Sequence, residues 1–247
     1  MMHSIIERVD RETPTTVSLL FPWDSNVLPG QFIMVWVPGI GEIPISLSYT
    51  GKIKGITVKR FGFTSTALTE LKPGGKIFFR GPYGNTFRKA GGNSLIVGGG
   101  SGMAGLLPLI TPSSHGVVSA RTKEELLFAD RFSPERLTTV TDDGSEGIKG
   151  FAVEGLKQLD MEEFSMIYVC GPELMLKSVL DYISDKKIDA DFSLERHMKC
   201  GIGICDSCSM DGLQLCTQGP VFPKATLLNS REFGKERLSV SGKRERL

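Results

Sequence analysis

Four of the chain's five cysteines lie within seventeen positions, in the segment CGIGICDSCSMDGLQLC. They are spaced C-x4-C-x2-C-x7-C, at Cys200, Cys205, Cys208 and Cys216. The first three have the spacing of plant-type [2Fe–2S] proteins, in which thiolates from one tight loop converge on the irons. Gly201 and Gly203 would let the backbone come close to the cluster. The spacing therefore predicts a [2Fe–2S] site with these four cysteines as ligands.

Other uses of clustered cysteines remain open. Structural zinc also takes four cysteines, but usually as two short knuckles, and here only Cys205 and Cys208 form one. Disulfides are less expected in the reducing cytosol, the compartment that we predict. His197, three positions before the first cysteine, could act as a Rieske-type ligand, although four cysteines make it unnecessary. A zinc-stabilised scaffold without redox activity is thus the main alternative.

The charge and hydropathy of the chain restrict its partners. Its 29 Lys and Arg residues nearly balance 28 Asp and Glu residues, so overall charge does not suggest a nucleic-acid surface. No apolar run approaches the length of a membrane span. We expect a cytoplasmic protein that binds neither nucleic acid nor a membrane.

The residue composition and the order of predicted strands and helices divide the chain into four parts. Residues 1–91 contain short β-branched and aromatic runs between turns, which predicts an antiparallel β-barrel. In residues 92–190 strands alternate with helical segments, which predicts a parallel sheet of an α/β domain. Residues 191–228 hold the cysteine module. Residues 229–247 are polar and basic, and we expect a tail that is frayed or docked on a partner.

Two turns in the α/β part join a strand to a helix, and the residues of the first make it a candidate nucleotide-binding site. The first is a glycine run between a strand and a helix, Gly98, Gly99, Gly100 and Gly102, which could set backbone N–H groups against a pyrophosphate. It departs from G-x-G-x-x-G, so an ordinary tight turn is the alternative. The second is VCGPELM, where a strand ends at Cys170 and Gly171 precedes a proline that begins a helix.

The chain has a predicted barrel, then a strand–GGG–helix segment, then a CGP-x-x-M segment. This order resembles that of the ferredoxin–NADP reductase superfamily. With the segments VCGPELMLKSV, SLERHMKCGIGICDSC and CTQGPVF, the chain looks very like the electron transfer subunits of dihydroorotate dehydrogenase. The resemblance runs from about residue 3 to residue 223. The small subunits of sulfide dehydrogenases and ferredoxin:NADP oxidoreductases share this architecture, and they are the closest rivals.

The resemblance implies an oxidoreductase subunit of pyrimidine biosynthesis. Its barrel would bind FAD, and its four cysteines would be the ligands of the cluster. Electrons would come from the FMN of a catalytic partner and leave on NAD+ near Cys170 and Gly171. The dihydroorotate site would lie in that partner, in a heterotetramer of two copies of each subunit, so this chain would carry no catalytic residue of its own.

The resemblance also maps FAD onto two segments. The family has Arg-Pro-x-Ser on one strand, and this chain keeps Pro44 and Ser46 but has Ile43 in place of the arginine. If no other group replaces the arginine, the loss of its contact with the phosphate would weaken FAD binding by about 1.5 to 3 kcal/mol. We therefore expect Ile43→Arg to increase the affinity for FAD. The second segment, GFTSTAL, supplies four candidate ligands of the diphosphate, with helix capping as the alternative role: Gly62, Thr64, Ser65 and Thr66.

Overall fold

The computed structural model describes residues 1–247, and the first third of the chain forms seven antiparallel strands. These are β1 (Met2–Ile5), β2 (Arg8–Thr13), β3 (Thr16–Pro22), β4 (Phe32–Val37), β5 (Gly41–Tyr49), β6 (Ile53–Lys59) and β7 (Lys76–Tyr83). Their order in the sheet is β1-β7-β4-β5-β6-β3-β2, and β1 also contacts β3, so the sheet curls into a barrel. Helix α1 (Phe63–Thr69) joins β6 to β7. The predicted barrel is confirmed.

Alternation of apolar side chains explains why these strands close around a core. Leu19 and Phe21 on β3 and Ile33 and Val35 on β4 are fully buried in one apolar cluster. Each pair is two residues apart, so its members point to the same face of their strand. The interior of the barrel is therefore filled by side chains, and any cofactor must bind on its outside.

The middle of the chain forms the parallel sheet that the alternating pattern predicts. Its strands are β8 (Ser94–Gly99), β9 (His115–Ala120), β10 (Leu137–Thr141), β11 (Ile148–Lys149), β12 (Met166–Cys170) and β13 (Asp189–Ser193). The helices that connect them are short: α2 (Met103–Leu106), α3 (Ala152–Leu156) and α4 (Glu173–Tyr182). The helix expected after the glycine turn is a single α-turn between two 3-10 turns, because Pro108 begins a tighter turn.

The cysteine segment adds one more strand to this sheet. It contains the hairpin β14 (Ser209–Met210) and β15 (Leu213–Gln214), then α5 (Leu215–Gln218), β16 (Val221–Pro223) and α6 (Lys224–Leu228). Strand β16 pairs antiparallel with β13, which gives the sheet order β11-β10-β9-β8-β12-β13-β16. The cysteine module is thus built into the edge of the α/β sheet.

The basic C-terminal tail is ordered, and the expectation of a frayed end is wrong. It forms a hairpin of β17 (Glu236–Leu238) and β18 (Arg244–Arg246). Phe233 is only 1% exposed in the large α/β core, and the N–H of Gly234 donates to Glu173 at 2.8 Å. One buried aromatic therefore anchors a segment whose composition is otherwise polar. None of the helices is both long enough and apolar enough to cross a membrane.

Candidate iron–sulfur and flavin site

The four cluster cysteines lie together in residues 200–216, the cysteine loop, which runs from β13 to β16. Cys205 is exposed and Cys200 half-buried, whereas Cys208 and Cys216 are buried. The thiols stand as two neighbouring pairs, because Cys200 and Cys205 alter each other's pKa and Cys208 raises the pKa of Cys216. A two-iron cluster takes two protein ligands on each iron, so this pairing fits a [2Fe–2S] group.

Backbone N–H groups of the cysteine loop already point at sulfur. Three of them approach the Sγ atom of Cys200, from Ile202 at 3.5 Å, Ile204 at 3.3 Å and Cys205 at 3.5 Å. A fourth, from Gly203, lies 3.2 Å from the Sγ atom of Cys216. Donors aimed at thiolates stabilise the extra negative charge of a reduced cluster and so raise its reduction potential. The residues present therefore suit this cofactor.

The two glycines of the cysteine loop have backbone angles that side chains disfavour. Gly201 has φ +71° and Gly203 has φ +78°. A Cβ atom on Gly203 would lie 2.9 Å from Oε1 of Gln214, and one on Gly201 would lie 3.0 Å from Cγ of Met34 in the barrel. Glycine is thus needed both for the turn and for close packing of the loop.

The cluster cysteines differ in how readily they ionise. Desolvation opposes ionisation of Cys200, but the N–H groups around its sulfur outweigh it and lower its pKa to about 6. Hydrogen bonds from Ser207 lower the pKa of Cys205. Burial raises the pKa of Cys216 to about 11. Cys200 is therefore ready to bind metal at neutral pH, whereas Cys216 needs the charge of a bound metal to lose its proton.

The zinc alternative has less structural support. No three His, Cys, Asp or Glu side chains are grouped around one position where a single ion could sit. His197 has a buried Nε2 atom without a hydrogen-bond partner, but the four paired thiols complete a two-iron ligand set without it. The Rieske-type role is therefore not needed.

An ion pair that sequence reasoning missed joins the cysteine loop to the barrel. The guanidinium of Arg80 on β7 donates to both carboxylate oxygens of Glu42 on β5, at 2.8 and 2.7 Å. Its third nitrogen donates to the carbonyl of Cys200, and the nitrogen that lies 2.7 Å from Glu42 also donates to the carbonyl of Lys199 at 3.3 Å. The residues are 38 and 120 positions apart, and no local pattern could have linked them.

The glycine turn and the CGP turn meet at the ends of two neighbouring strands. Gly98 on β8 pairs with Cys170 on β12. A Cβ atom on Gly102 would lie 2.5 Å from the carbonyl carbon of Cys170, and one on Gly171 would lie 3.1 Å from the backbone nitrogen of Gly99. Only glycines allow this close approach at the carboxyl ends of the strands, the edge at which α/β sheets bind nucleotides. Gly100, with φ +52°, makes the turn.

Ser46 of the barrel lies beside the same two turns. A Cβ atom on Gly105 of α2 would lie 3.6 Å from Cβ of Ser46 and 3.8 Å from Sγ of Cys170. Burial and then the charge of Glu195 raise the pKa of Cys170 to about 12, so its thiol stays neutral and is not a nucleophile at neutral pH. The structure therefore brings together residues that the sequence assigned separately to flavin and to nicotinamide.

Residues 43–46 of β5 and residues 60–66 form what we term the flavin face. Pro44 is paired with Met34 of β4, and Ile43 packs partly buried against the barrel core. Helix α1 begins after Gly62, and the hydroxyl of Ser65 accepts hydrogen bonds from the N–H groups of Phe61 and Gly62, at 3.0 and 2.9 Å.

The other two hydroxyls of the flavin face, those of Thr64 and Thr66, have no capping role. Thr66 donates its N–H to the carbonyl of Gly62 at 2.9 Å, as an ordinary helical residue does, and Thr64 lies beside Gly41 of β5. Ser65 thus has the capping role, and Thr64 and Thr66 keep side chains available to a ligand. The flavin face offers hydroxyl groups to FAD but carries no cation at position 43.

Comparison with known proteins agrees with this site. The family profile described as the iron–sulfur cluster binding domain of dihydroorotate dehydrogenase B matches residues 195–228. A protein of Thermoplasma acidophilum is 54% identical, over 97% of this chain and 96% of its own length. One of Methanocaldococcus jannaschii is 42% identical over 97% and 96%. Both carry the name "Probable dihydroorotate dehydrogenase B (NAD(+)), electron transfer subunit".

Solved structures share the fold. An NADH-dependent reduced ferredoxin–NADP oxidoreductase, studied for flavin-based electron bifurcation, matches with a TM-score of 0.79 and 27% identity, over 91% of this chain and 89% of that one. The ferredoxin reductase of carbazole 1,9a-dioxygenase matches with a TM-score of 0.65 and 22% identity, over 76% and 66%, which shows the fold alone. With its two-domain reductase fold, its cysteine loop and full-length relatives above 40% identity, the chain belongs to the family of dihydroorotate dehydrogenase B electron transfer subunits.

Proposed function

We propose that this chain carries electrons from the FMN of a dihydroorotate dehydrogenase catalytic subunit to NAD+. Residues 1–91 form its FAD-binding barrel, residues 92–190 its NAD-binding domain and residues 191–228 its [2Fe–2S] module, with residues 229–247 as the tail. The observation that carries the proposal is the paired set of four thiols with backbone donors, held against the barrel by Arg80.

When bound, the cluster supplies one-electron transfer and the flavin couples single electrons to the hydride chemistry of NAD+. The chain's own residues hold and orient these groups. The cysteine loop binds the irons, and its N–H groups set the charge balance at the sulfurs. Ser46, Thr64 and Thr66 are the candidate hydrogen-bonding side chains for FAD. Gly99, Gly102 and Gly171 keep the strand ends open for the nicotinamide nucleotide.

The partner docks at the rim of the cysteine loop in this proposal. Ile202 is 48% exposed and Ile204 is 77% exposed, beside the exposed ligand Cys205. Apolar side chains that stand in solvent beside a redox ligand suit a permanent interface. We place two copies of each subunit in a cytoplasmic heterotetramer.

A quantitative cofactor analysis tests this proposal. The full chain is purified, and iron, labile sulfide and released flavin are measured on the same sample, together with the visible spectrum. We expect two irons, two sulfides and one FAD for each chain. Zinc in place of iron would contradict it and would favour the scaffold alternative.

A second candidate is the small subunit of a ferredoxin:NADP oxidoreductase, because the structural match to such a protein covers nearly the whole chain at 27% identity. Affinity purification of the tagged chain from its own cells separates the two. An FMN-containing α/β-barrel partner is expected for the dehydrogenase, and a large flavoprotein with further clusters is expected for the rival.

A further inference from the structure

The tail contacts the cysteine loop at the tip of the loop's hairpin. Strands β14 and β15 are joined by a two-residue turn, Asp211 and Gly212, with φ of +50° and +80°. Cys208 directly precedes β14, and Cys216 follows β15 by two positions. The N–H of Leu215 donates to the carbonyl of Cys208 at 3.4 Å, which closes the open end of the hairpin. The hairpin therefore fixes the two buried cysteines relative to each other, and a contact at its tip bears on both.

The contact between this turn and the tail is made by Asp211. Its carboxylate accepts hydrogen bonds from the hydroxyl of Ser230 and from the N–H of Arg231, the latter at 3.1 Å. In return, the N–H of Asp211 donates to a carboxylate oxygen of Glu232 at 2.9 Å. The other oxygen of that carboxylate accepts from Arg244 of β18 at 2.5 Å. Hydrogen bonds thus run in both directions between the turn and the tail, and they fix the orientation of one on the other.

The tail is itself fixed beside this contact. Phe233 is buried in the α/β core, and the N–H of Gly234 donates to the carboxylate of Glu173 at 2.8 Å. The same carboxylate forms an ion pair with Arg196, which stands four positions before the first cluster cysteine. The side chains of this pair are only 1% and 9% exposed. The stretch that holds Asp211 is therefore tied both to the core and to the segment that leads into the cysteine loop.

The bonds at Asp211 contribute position more than stability. They lie at the surface, where a hydrogen bond or an ion pair adds little to the free energy of unfolding. Contacts that orient metal ligands from outside the ligand set nevertheless affect how tightly the metal is held. A fixed tail that bonds to the tip of the hairpin is such a contact.

We propose that residues 230–234 of the tail position two of the cluster ligands, Cys208 and Cys216, by holding Asp211. The inference rests on the proposed function, because it requires that the cysteine loop binds the cluster. Asp211 is a positioning residue in this assignment and touches no cofactor. The metal site thus extends beyond residues 195–228, the part of the chain that the iron–sulfur family profile matches.

Removal of the Asp211 carboxylate tests the assignment. Asp211→Gly deletes it and leaves the turn intact, because glycine adopts positive φ without strain. The full chain with its cluster is exposed to an iron chelator, and the electron paramagnetic resonance spectrum of the reduced cluster is recorded. We expect iron loss about tenfold faster than in the wild-type chain and a broader spectrum, because the ligands no longer share one arrangement. Asp211→Asn, which keeps the turn and one acceptor oxygen, should lie between the two.

Glu236→Gln is the matched control, because the only side-chain partner of this tail carboxylate is Arg244. It should lose iron at the wild-type rate and keep the wild-type spectrum. Wild-type behaviour of Asp211→Gly would overturn the inference, and so would an equal change in Glu236→Gln. A lower melting temperature of Asp211→Gly with an unchanged spectrum would also overturn it, since the contact would then only stabilise the fold. A wild-type chain that holds zinc instead of iron would overturn the iron–sulfur part of the proposed function.

Discussion

The cysteine loop takes all its ligands from seventeen consecutive residues, whereas the flavin face is assembled from two segments on different strands. In the cysteine loop backbone N–H groups face the sulfurs, and most side-chain substitutions leave such groups in place. On the flavin face the candidate donors are side-chain hydroxyls, and Ile43 stands where the resemblance expects an arginine. Side-chain donors can be lost one substitution at a time, while the backbone donors of one loop are kept as long as that loop keeps its shape.

The strongest way to break the cysteine loop is to remove a ligand. Cys205→Ala removes an exposed thiolate whose loss should not disturb packing, and we expect iron and labile sulfide to be lost almost completely. Cys170→Ala is the matched control, because that cysteine is buried in the α/β domain outside the loop. Two irons retained in Cys205→Ala would show that this residue is not a ligand.

The second test separates the backbone angle from the lack of space at a glycine. Gly203→Ala and Gly212→Ala both place a side chain at positive φ, +78° and +80°. An added Cβ would lie 2.9 Å from Gln214 at the first position and would have nothing within 4 Å at the second.

Both substitutions should lower the free energy of unfolding by roughly 1 kcal/mol. Only Gly203→Ala should also displace the N–H group that faces Cys216, because its added Cβ clashes with Gln214. This variant should therefore lose iron to a chelator several times faster than the wild-type chain. Equal rates of iron loss in the two variants would contradict the close fit of the loop around the cluster.

The third test cuts the link between the two regions. Arg80→Gln removes the ion pair with Glu42 and the hydrogen bond to Cys200, and should lower the free energy of unfolding by about 1 to 3 kcal/mol. The lost positive charge should also lower the reduction potential of the cluster, as measured by a redox titration. Glu42→Gln, which leaves Arg80 in place, should destabilise the fold without that lowering. The same drop in both variants would mean that Arg80 does not act on the cluster.

The smallest effect is expected away from both regions. Burial, and to a smaller extent the positive charge of Arg136, lower the pKa of His115 on β9. As the pH falls, the imidazole is therefore protonated in the unfolded chain before it is protonated in the folded one. The folded state should therefore lose stability as the pH drops through about 6.5. His115→Gln should show a weaker loss of melting temperature between pH 7.5 and 5.5, with the cluster bound in both. An unchanged pH dependence would exclude His115 as the cause.

The sequence predicted those features that depend on local order. The barrel strands and the alternating α/β segments reflect neighbours along the chain, and the structure confirms both. The structure also gathers the four cysteines in one loop, while their role as ligands stays a prediction. The sequence alone could not predict the hydrogen bond from Arg80 to the carbonyl of Cys200 or the pairing of β16 with β13, because both join residues that are distant along the chain. The tail was misjudged because one residue, Phe233, anchors it, and composition averages over single residues.

The pairing of Ser193 with Val221 means that the whole cluster module lies between two adjacent strands of one hairpin. Topologically the module is an insertion, and both of its ends are fixed side by side. The module also packs Leu194, Met198 and Leu215 into the core of the α/β sheet. Gain or loss of the metal centre in evolution would therefore require a change of one connection together with repacking of that part of the core.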